Sequence, residues 1–117
     1  VLERALPYFD YVYPMVYPSH FAYNTGNFGE PAKHPYDIIL YSMSAGVARE
    51  RALNEKMGLA TTTPSKLRPW LQDFDLGADY GVPEVQAQIK ATYDAGLTSW
   101  LMWDAGNKYT RDAYLPD

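Results

Sequence analysis

The chain has 117 residues, a formal net charge of -4 and a pI near 5.0, a size at which one core buries roughly two-thirds of the surface that the unfolded chain exposes. Its ten Lys and Arg residues are scattered, so there is no basic field for nucleic acid, and no apolar run approaches the roughly 20 residues of a membrane span. The absence of cysteine excludes disulfides, thiolate nucleophiles and cysteine zinc sites while leaving the redox compartment open.

The amino terminus lacks the basic-then-apolar pattern of a signal peptide. Leu2, Ala5, Leu6 and Phe9 have helical spacing, with Pro7 ending or kinking the helix. This start reads as the tail of a helix, and the expectation is a fragment whose upstream half of the fold is missing. Residues 11–18 are rich in Tyr and Val, as a strand prefers, but Pro14 and Pro18 each lack a backbone donor. A strand here must be bulged or at an edge. Alternation puts Tyr13, Met15, Tyr17 and Ser19 on one face and Val12, Val16 and His20 on the other.

Residues 21–34 carry turn chemistry without periodicity and read as a long loop over the carboxyl edge of a sheet. The glycines at 26 and 29 serve turns, since the spacing and the Lys of a phosphate loop are absent. From Pro35 to Met57 a helical stripe runs through Ile39, Met43, Gly46, Val47, Leu53 and Met57, and Gly58 stops it. The charged residues Arg49, Glu50, Arg51, Glu55 and Lys56 read as its solvated face.

Residues 61–65 make a polar connection. Residues 67–75 then form an apolar run ending in Gln72, Asp73 and Asp75. Arg68, Trp70 and Gln72 share one face, and Leu67, Leu71 and Asp73 the other. A strand running straight to residue 73 therefore points Gln72 inward, and one ending at Gln72 frees Asp73 to turn. Arg68 is expected in a structural ion pair. A second helix starts at Pro83 with Val85, Ile89, Thr92 and Tyr93 on its apolar stripe and stops at Gly96. Residues 98–103 form a third apolar run, broken by Asp104 and Asn107, and residues 109–115 begin a short helix before Pro116.

Strands alternating with helices predict parallel βαβ units with right-handed crossovers. In such folds ligands bind at the carboxyl ends of the strands. Three strands and two helices are too few for the eightfold barrel of about 250 residues, so the count favours the carboxyl-terminal segment of a (β/α)8 TIM barrel, one domain segment over residues 1–117. His20 and His34 lie too far apart, with no closely spaced acidic helper, to predict a metal site, and no cofactor is called for.

Several blocks carry a family resemblance. Tyr13-Pro14-Met15-Val16-Tyr17-Pro18-Ser19-His20, Gly26-Asn27-Phe28-Gly29, Arg68-Pro69-Trp70-Leu71-Gln72-Asp73-Phe74, Val85-Gln86-Ala87-Gln88-Ile89 and Trp100-Leu101-Met102-Trp103-Asp104-Ala105-Gly106-Asn107-Lys108-Tyr109-Thr110 resemble successive blocks of the putative glycosyl hydrolase domain family of bacterial (β/α)8 barrels, in its carboxyl-terminal part. Asp104 stands where Asn is common in that block. The resemblance implies a glycoside hydrolase acting on a polysaccharide or oligosaccharide; the alternative is a non-catalytic carbohydrate-binding or scaffold barrel of the bacterial cell envelope.

Glycoside hydrolysis needs two carboxyl groups flanking the bond. Asp73 and Asp104, at matching ends of successive strands, are the catalytic candidates in this chain, and a carboxylate on an earlier strand is the alternative partner for Asp73. Tyr17, His20, Trp70, Gln72, Trp103, Asn107 and Tyr109 are the candidate substrate contacts, because amphipathic rings and amides at strand ends suit a sugar. Packing and loop anchoring account for most of the 15% aromatic content, and a carbohydrate site would use the remainder as stacking platforms.

Overall fold

A computed structural model of the chain describes residues 1–60 and 62–115. Thr61, at the start of the expected polar connection, and Pro116, expected to stop the last helix, lie outside the described residues. The described chain is mixed α/β with a small parallel sheet.

The spacing over residues 2–9 resolves into a helix, α1 (Leu2–Ala5), and a 3₁₀ turn at Leu6–Tyr8. Pro7 sits in that turn and has no N–H to extend the helix. Glu3 of α1 binds Arg49 through two hydrogen bonds of 2.6 Å, and those bonds hold its carboxyl down at about 2.

The segment 11–18 is an interrupted strand. Val12 bridges Leu67 and Met15 bridges Trp70, both parallel and in one register, so no residue is inserted. The Val12 amide donates to Lys66 O, Arg68 N to Val12 O, Trp70 N to Pro14 O and Val16 N to Trp70 O, at 2.9–3.2 Å. The gap in this ladder falls at Pro14, which can accept but has no N–H to donate. Beside it lies β1 (Trp70–Gln72), and β1 pairs in parallel with β2 (Leu101–Trp103), Trp70 opposite Leu101 and Gln72 opposite Trp103.

Residues 21–34 are more regular than turn chemistry suggested, with 3₁₀ turns at Thr25–Asn27 and Pro31–Lys33. Asn24, Gly26 and Asn27 all have left-handed backbones, and a Cβ at Gly26 would come within 2.7 Å of the Phe28 ring. Only glycine fits there without displacing that ring.

Two helices cover one face of the sheet. α2 (Pro35–Lys56) buries Ile38, Ile39, Met43, Gly46 and Val47, while Leu53 is half-buried and Met57 is 49% exposed, so the apolar stripe fades in the last turns. The charged run is not wholly solvated: Glu50 is only 3% exposed. Its carboxylate accepts from Ser65 Oγ at 2.5 Å and Lys66 N at 2.8 Å, fastening α2 to the turn that enters β1. α3 (Val82–Asp94) buries Val85, Gln88, Ala91 and Thr92, whereas Tyr93, expected on the apolar stripe, is 51% exposed.

Gln88 is inside because it acts as a strand partner. Its Oε1 accepts from Gln72 N at 2.9 Å and its Nε2 donates to Gln72 O at 2.8 Å, which satisfies both backbone groups of a fully buried residue. The core joins Leu6, Val16, Ile39, Met43, Val47, Leu67, Leu71, Ala91 and Leu97 between sheet and helices. On the opposite face Tyr11, Tyr13, Met15 and Trp103 are exposed. Arg68 lies on that face and, among the described residues, lacks the expected ion pair: its Nη1 donates to Ser65 O and Leu67 O, and its guanidinium stacks 4.8 Å over the Tyr11 ring. No described helix is long and apolar enough to cross a membrane.

Gln88→Leu should cost roughly 1–3 kcal/mol for each of the two Gln72 backbone groups it orphans, read as a lower urea midpoint. The exposed Met57→Gln should stay within about 0.5 kcal/mol.

Candidate functional site

Gln72 faces Trp103, whereas the first strand pairs with β1 only as far as the Met15 and Trp70 bridge and the Val16 N to Trp70 O bond, beyond which Gln88 takes the backbone groups of Gln72. Side chains then tie the ends together. Gln72 Oε1 accepts from Ser19 N at 3.1 Å and Ser19 Oγ at 2.9 Å, and its Nε2 donates to Phe74 O at 2.9 Å. The 3₁₀ turn Pro18–His20 is thereby pinned over the end of β1.

Asp73 makes the corresponding tie to the other neighbour. Its amide donates to Trp103 O at 2.9 Å, extending the ladder one step past the strand. Asp73 is 4% exposed, and its carboxylate accepts from Thr110 N at 2.7 Å, Thr110 Oγ1 at 2.6 Å and the Tyr114 hydroxyl. The expected helix over 109–115 is a single 3₁₀ turn, Arg111–Ala113, with Thr110 at its N-cap position. Asp73, from another element, holds that N-cap residue by its own amide and hydroxyl.

Asp104 organises the intervening loop from within. It accepts from Lys108 N at 2.7 Å and Gly106 N at 3.4 Å, while Asn107 N donates to Asp104 O at 3.0 Å and Asn107 itself has φ 56°. These are the contacts of an Asx turn. Asp104 is half-buried and Asn107 exposed.

Around this frame the rings cluster. The buried Tyr17 meets the exposed His20 edge-on at 5.3 Å and Phe74 at 5.4 Å, and His20 lies 6.0 Å from Phe74. Trp70 and Trp103 meet edge-on at 6.2 Å. Burial raises the Tyr17 hydroxyl above the usual tyrosine range, with a smaller contribution from Tyr109 nearby. Burial, followed by the hydrogen bond to Asp73, raises Tyr114 further, and Tyr109 adds to that as well.

The structure thus joins Tyr17, His20, Gln72 and Trp103 at one rim, with Trp70 against Trp103, while Tyr109 is half-buried in the loop beyond β2. Asn107 stands outside the ring cluster, at the tip of the Asp104 turn. Sequence reasoning missed Phe74, Thr110 and Tyr114 as parts of the site. The residue immediately after Asp73 was the available signal for the first; for the others only the pairing of a buried carboxylate with hydroxyls across 37 and 41 positions would have told. Among the described residues no three His, Cys, Asp or Glu side chains gather as for a metal ion. A groove of about 610 Å³ lies elsewhere, outside α3, lined by Ile89, Tyr93, Trp100 and Tyr114 among others.

Comparison with known proteins decides the family. The sequence profile of the family described as Putative glycosyl hydrolase domain matches residues 2–109. The chain belongs to the putative glycosyl hydrolase domain family. No curated protein and no solved structure matches it. Within the glycosyl hydrolase match fall the two strand-end ties to Gln72 and the Asp104 turn, while Thr110 and Tyr114, the donors to Asp73, lie just past it.

The rim tyrosines set a pH dependence. A phenol whose folded pKa is raised leaves stability unchanged below the unfolded value of about 10 and loses it as pH climbs toward the folded value, because only the unfolded chain ionises. Stability should therefore fall above pH about 10, and Tyr114→Phe should flatten that fall in urea melts at stepped alkaline pH.

Proposed function

We propose that this chain supplies the carboxyl-terminal βα units of a (β/α)8 glycoside hydrolase acting on a polysaccharide or oligosaccharide bound across the carboxyl rim. Family membership supports the reaction class. The observation that carries the site is the Gln72 side chain, which binds Ser19 at the end of one strand while its own strand ends beside Trp103. One-sided burial supports the barrel: α2 and α3 both lie on the Leu67 and Leu71 face, as in a barrel rather than a doubly wound sheet. The exposed Tyr13, Met15 and Trp103 face would then meet the earlier strands of the same barrel.

In this reading His20, Trp70, Trp103, Asn107 and Tyr109 contact the sugar, rings stacking on its C–H faces and polar tips bonding its hydroxyls, while Gln72 holds the floor and the buried Tyr17, expected from the sequence as a contact, instead backs His20. Asp104, half-buried with one oxygen only weakly engaged, is the carboxylate of this chain we assign to acid or base chemistry. Its partner carboxylate comes from another strand. A second reading, a non-catalytic carbohydrate-binding or scaffold barrel, is favoured by one observation: Asp73, the other candidate carboxylate, is saturated by donors from Thr110 and Tyr114.

Asp104→Asn in the intact protein should lower kcat for oligosaccharide hydrolysis by about 100-fold or more, the range of general acid–base contributions, and leave oligosaccharide affinity nearly unchanged. Undiminished turnover would remove Asp104 from the chemistry. Binding without turnover by the unsubstituted protein would establish the second reading.

A further inference from the structure

The Gln72 amide holds the backbone at two places, and the side chains carried there meet. Its Oε1 accepts from Ser19 N at 3.1 Å and Ser19 Oγ at 2.9 Å, which fixes the 3₁₀ turn Pro18–His20, where His20 N donates to Tyr17 O at 2.9 Å. Ser19 is half-buried in that turn and His20 is exposed. The other end of the amide, Nε2, donates to Phe74 O at 2.9 Å. The His20 and Phe74 rings lie 6.0 Å apart, tilted by 51°. Behind them the buried Tyr17 stands edge-on to both, at 5.3 Å from His20 and 5.4 Å from Phe74. Phe74 is only half-buried, so two rings of the cluster reach solvent at the rim. One is wholly apolar, and the other has ring nitrogens that donate or accept hydrogen bonds.

We propose that Phe74 and His20 form a sugar subsite at the carboxyl rim, Phe74 offering a ring face to the C–H groups of one sugar unit and His20 a hydrogen bond to its hydroxyls, with Gln72 as the residue that positions both. This rests on the reading of the rim as a carbohydrate site. An apolar ring next to a polar ring edge matches a ligand that has both an apolar face and a hydroxyl rim. Gln72 is 0% exposed and acts only through Ser19 and Phe74. Asp73, between Gln72 and Phe74 in the chain, turns to Thr110 instead. Rings held in place before the sugar arrives lose less freedom on binding, and that is what the amide contributes.

The test is titration calorimetry on the intact protein, with cellohexaose, chitohexaose and maltohexaose as probes. Phe74→Leu removes the flat ring while keeping apolar bulk and the carbonyl that Gln72 holds, and His20→Ala removes the imidazole. Each should weaken the probe that binds by about tenfold, the scale of one ring contact or one good hydrogen bond. Ser19→Ala deletes one of the bonds to Gln72 Oε1 and should weaken binding about threefold. In a His20→Ala background it should cost nothing further, because Ser19 reaches the sugar only through His20. A loss that persists in that background, or a Ser19→Ala variant that melts lower and binds as before, would reduce Gln72 to a structural tie and overturn its positioning role. Full affinity in either Phe74→Leu or His20→Ala, in a protein that binds a probe when unsubstituted, would overturn the subsite and leave the carbohydrate reading standing. Failure of the unsubstituted protein to bind any of the probes would remove the carbohydrate reading, and the subsite with it.

Discussion

Two consecutive residues at the end of β1 hold the rim together. In an extended chain neighbours point to opposite faces, and here each uses its direction to take one flanking loop. Gln72 turns its amide toward the Ser19 loop and Asp73 turns its carboxylate toward the Thr110 loop. A central strand with a single polar end would secure one neighbour and leave the other to drift. Burial raises the stakes, because Gln72 is 0% exposed and an unpaired amide at that depth costs more than the bond itself returns. The arrangement is therefore nearly all or nothing: every polar atom of Gln72 with a backbone or side-chain partner, or the strand end not formed.

That tie compensates for a weak sheet. The parallel ladder to the first strand is broken at Pro14, and β1 and β2 are assigned three residues each. Backbone pairing over so few residues does not hold a register by itself. Gln88 from α3 adds two bonds to β1 from the helix layer, and Glu50 from α2 secures the turn that enters it. Each helix thus lends β1 a polar side chain as well as an apolar face, and the strand's position follows from both.

The topology was legible in the sequence because it depends on periodicity. Alternating strand and helix signals implied parallel pairing, Pro35 and Gly58 bounded α2, and the parity of residues 67–73 foretold that Gln72 and Asp73 would part company. What was not legible depends on long-range polar pairing. Gln88 and Glu50 look like surface residues in any hydrophobic pattern, and only the orphaned groups of Gln72, Ser65 and Lys66 explain why they are inside. Tyr93 looked apolar and is wet, since its hydroxyl receives a bond from Trp100 Nε1 at the surface. Arg68 was expected to need an acid; carbonyl oxygens and the Tyr11 ring serve instead. At the rim the strand ends were legible, but the donors that fill Asp73 were not, because nothing local in a Thr and a Tyr of the last turn announces a carboxylate so far back in the chain.

The most direct measurement is of the two side chains themselves. In an isotope-labelled sample, the Gln72 side-chain amide should be slowly exchanging and show nuclear Overhauser contacts to Ser19 and Phe74, while the Thr110 amide, in the same spectrum, shows contacts to the Asp73 β-protons. Rapid exchange of the Gln72 amide, or contacts on one side of β1 without the other, would contradict a rim set from a single strand end.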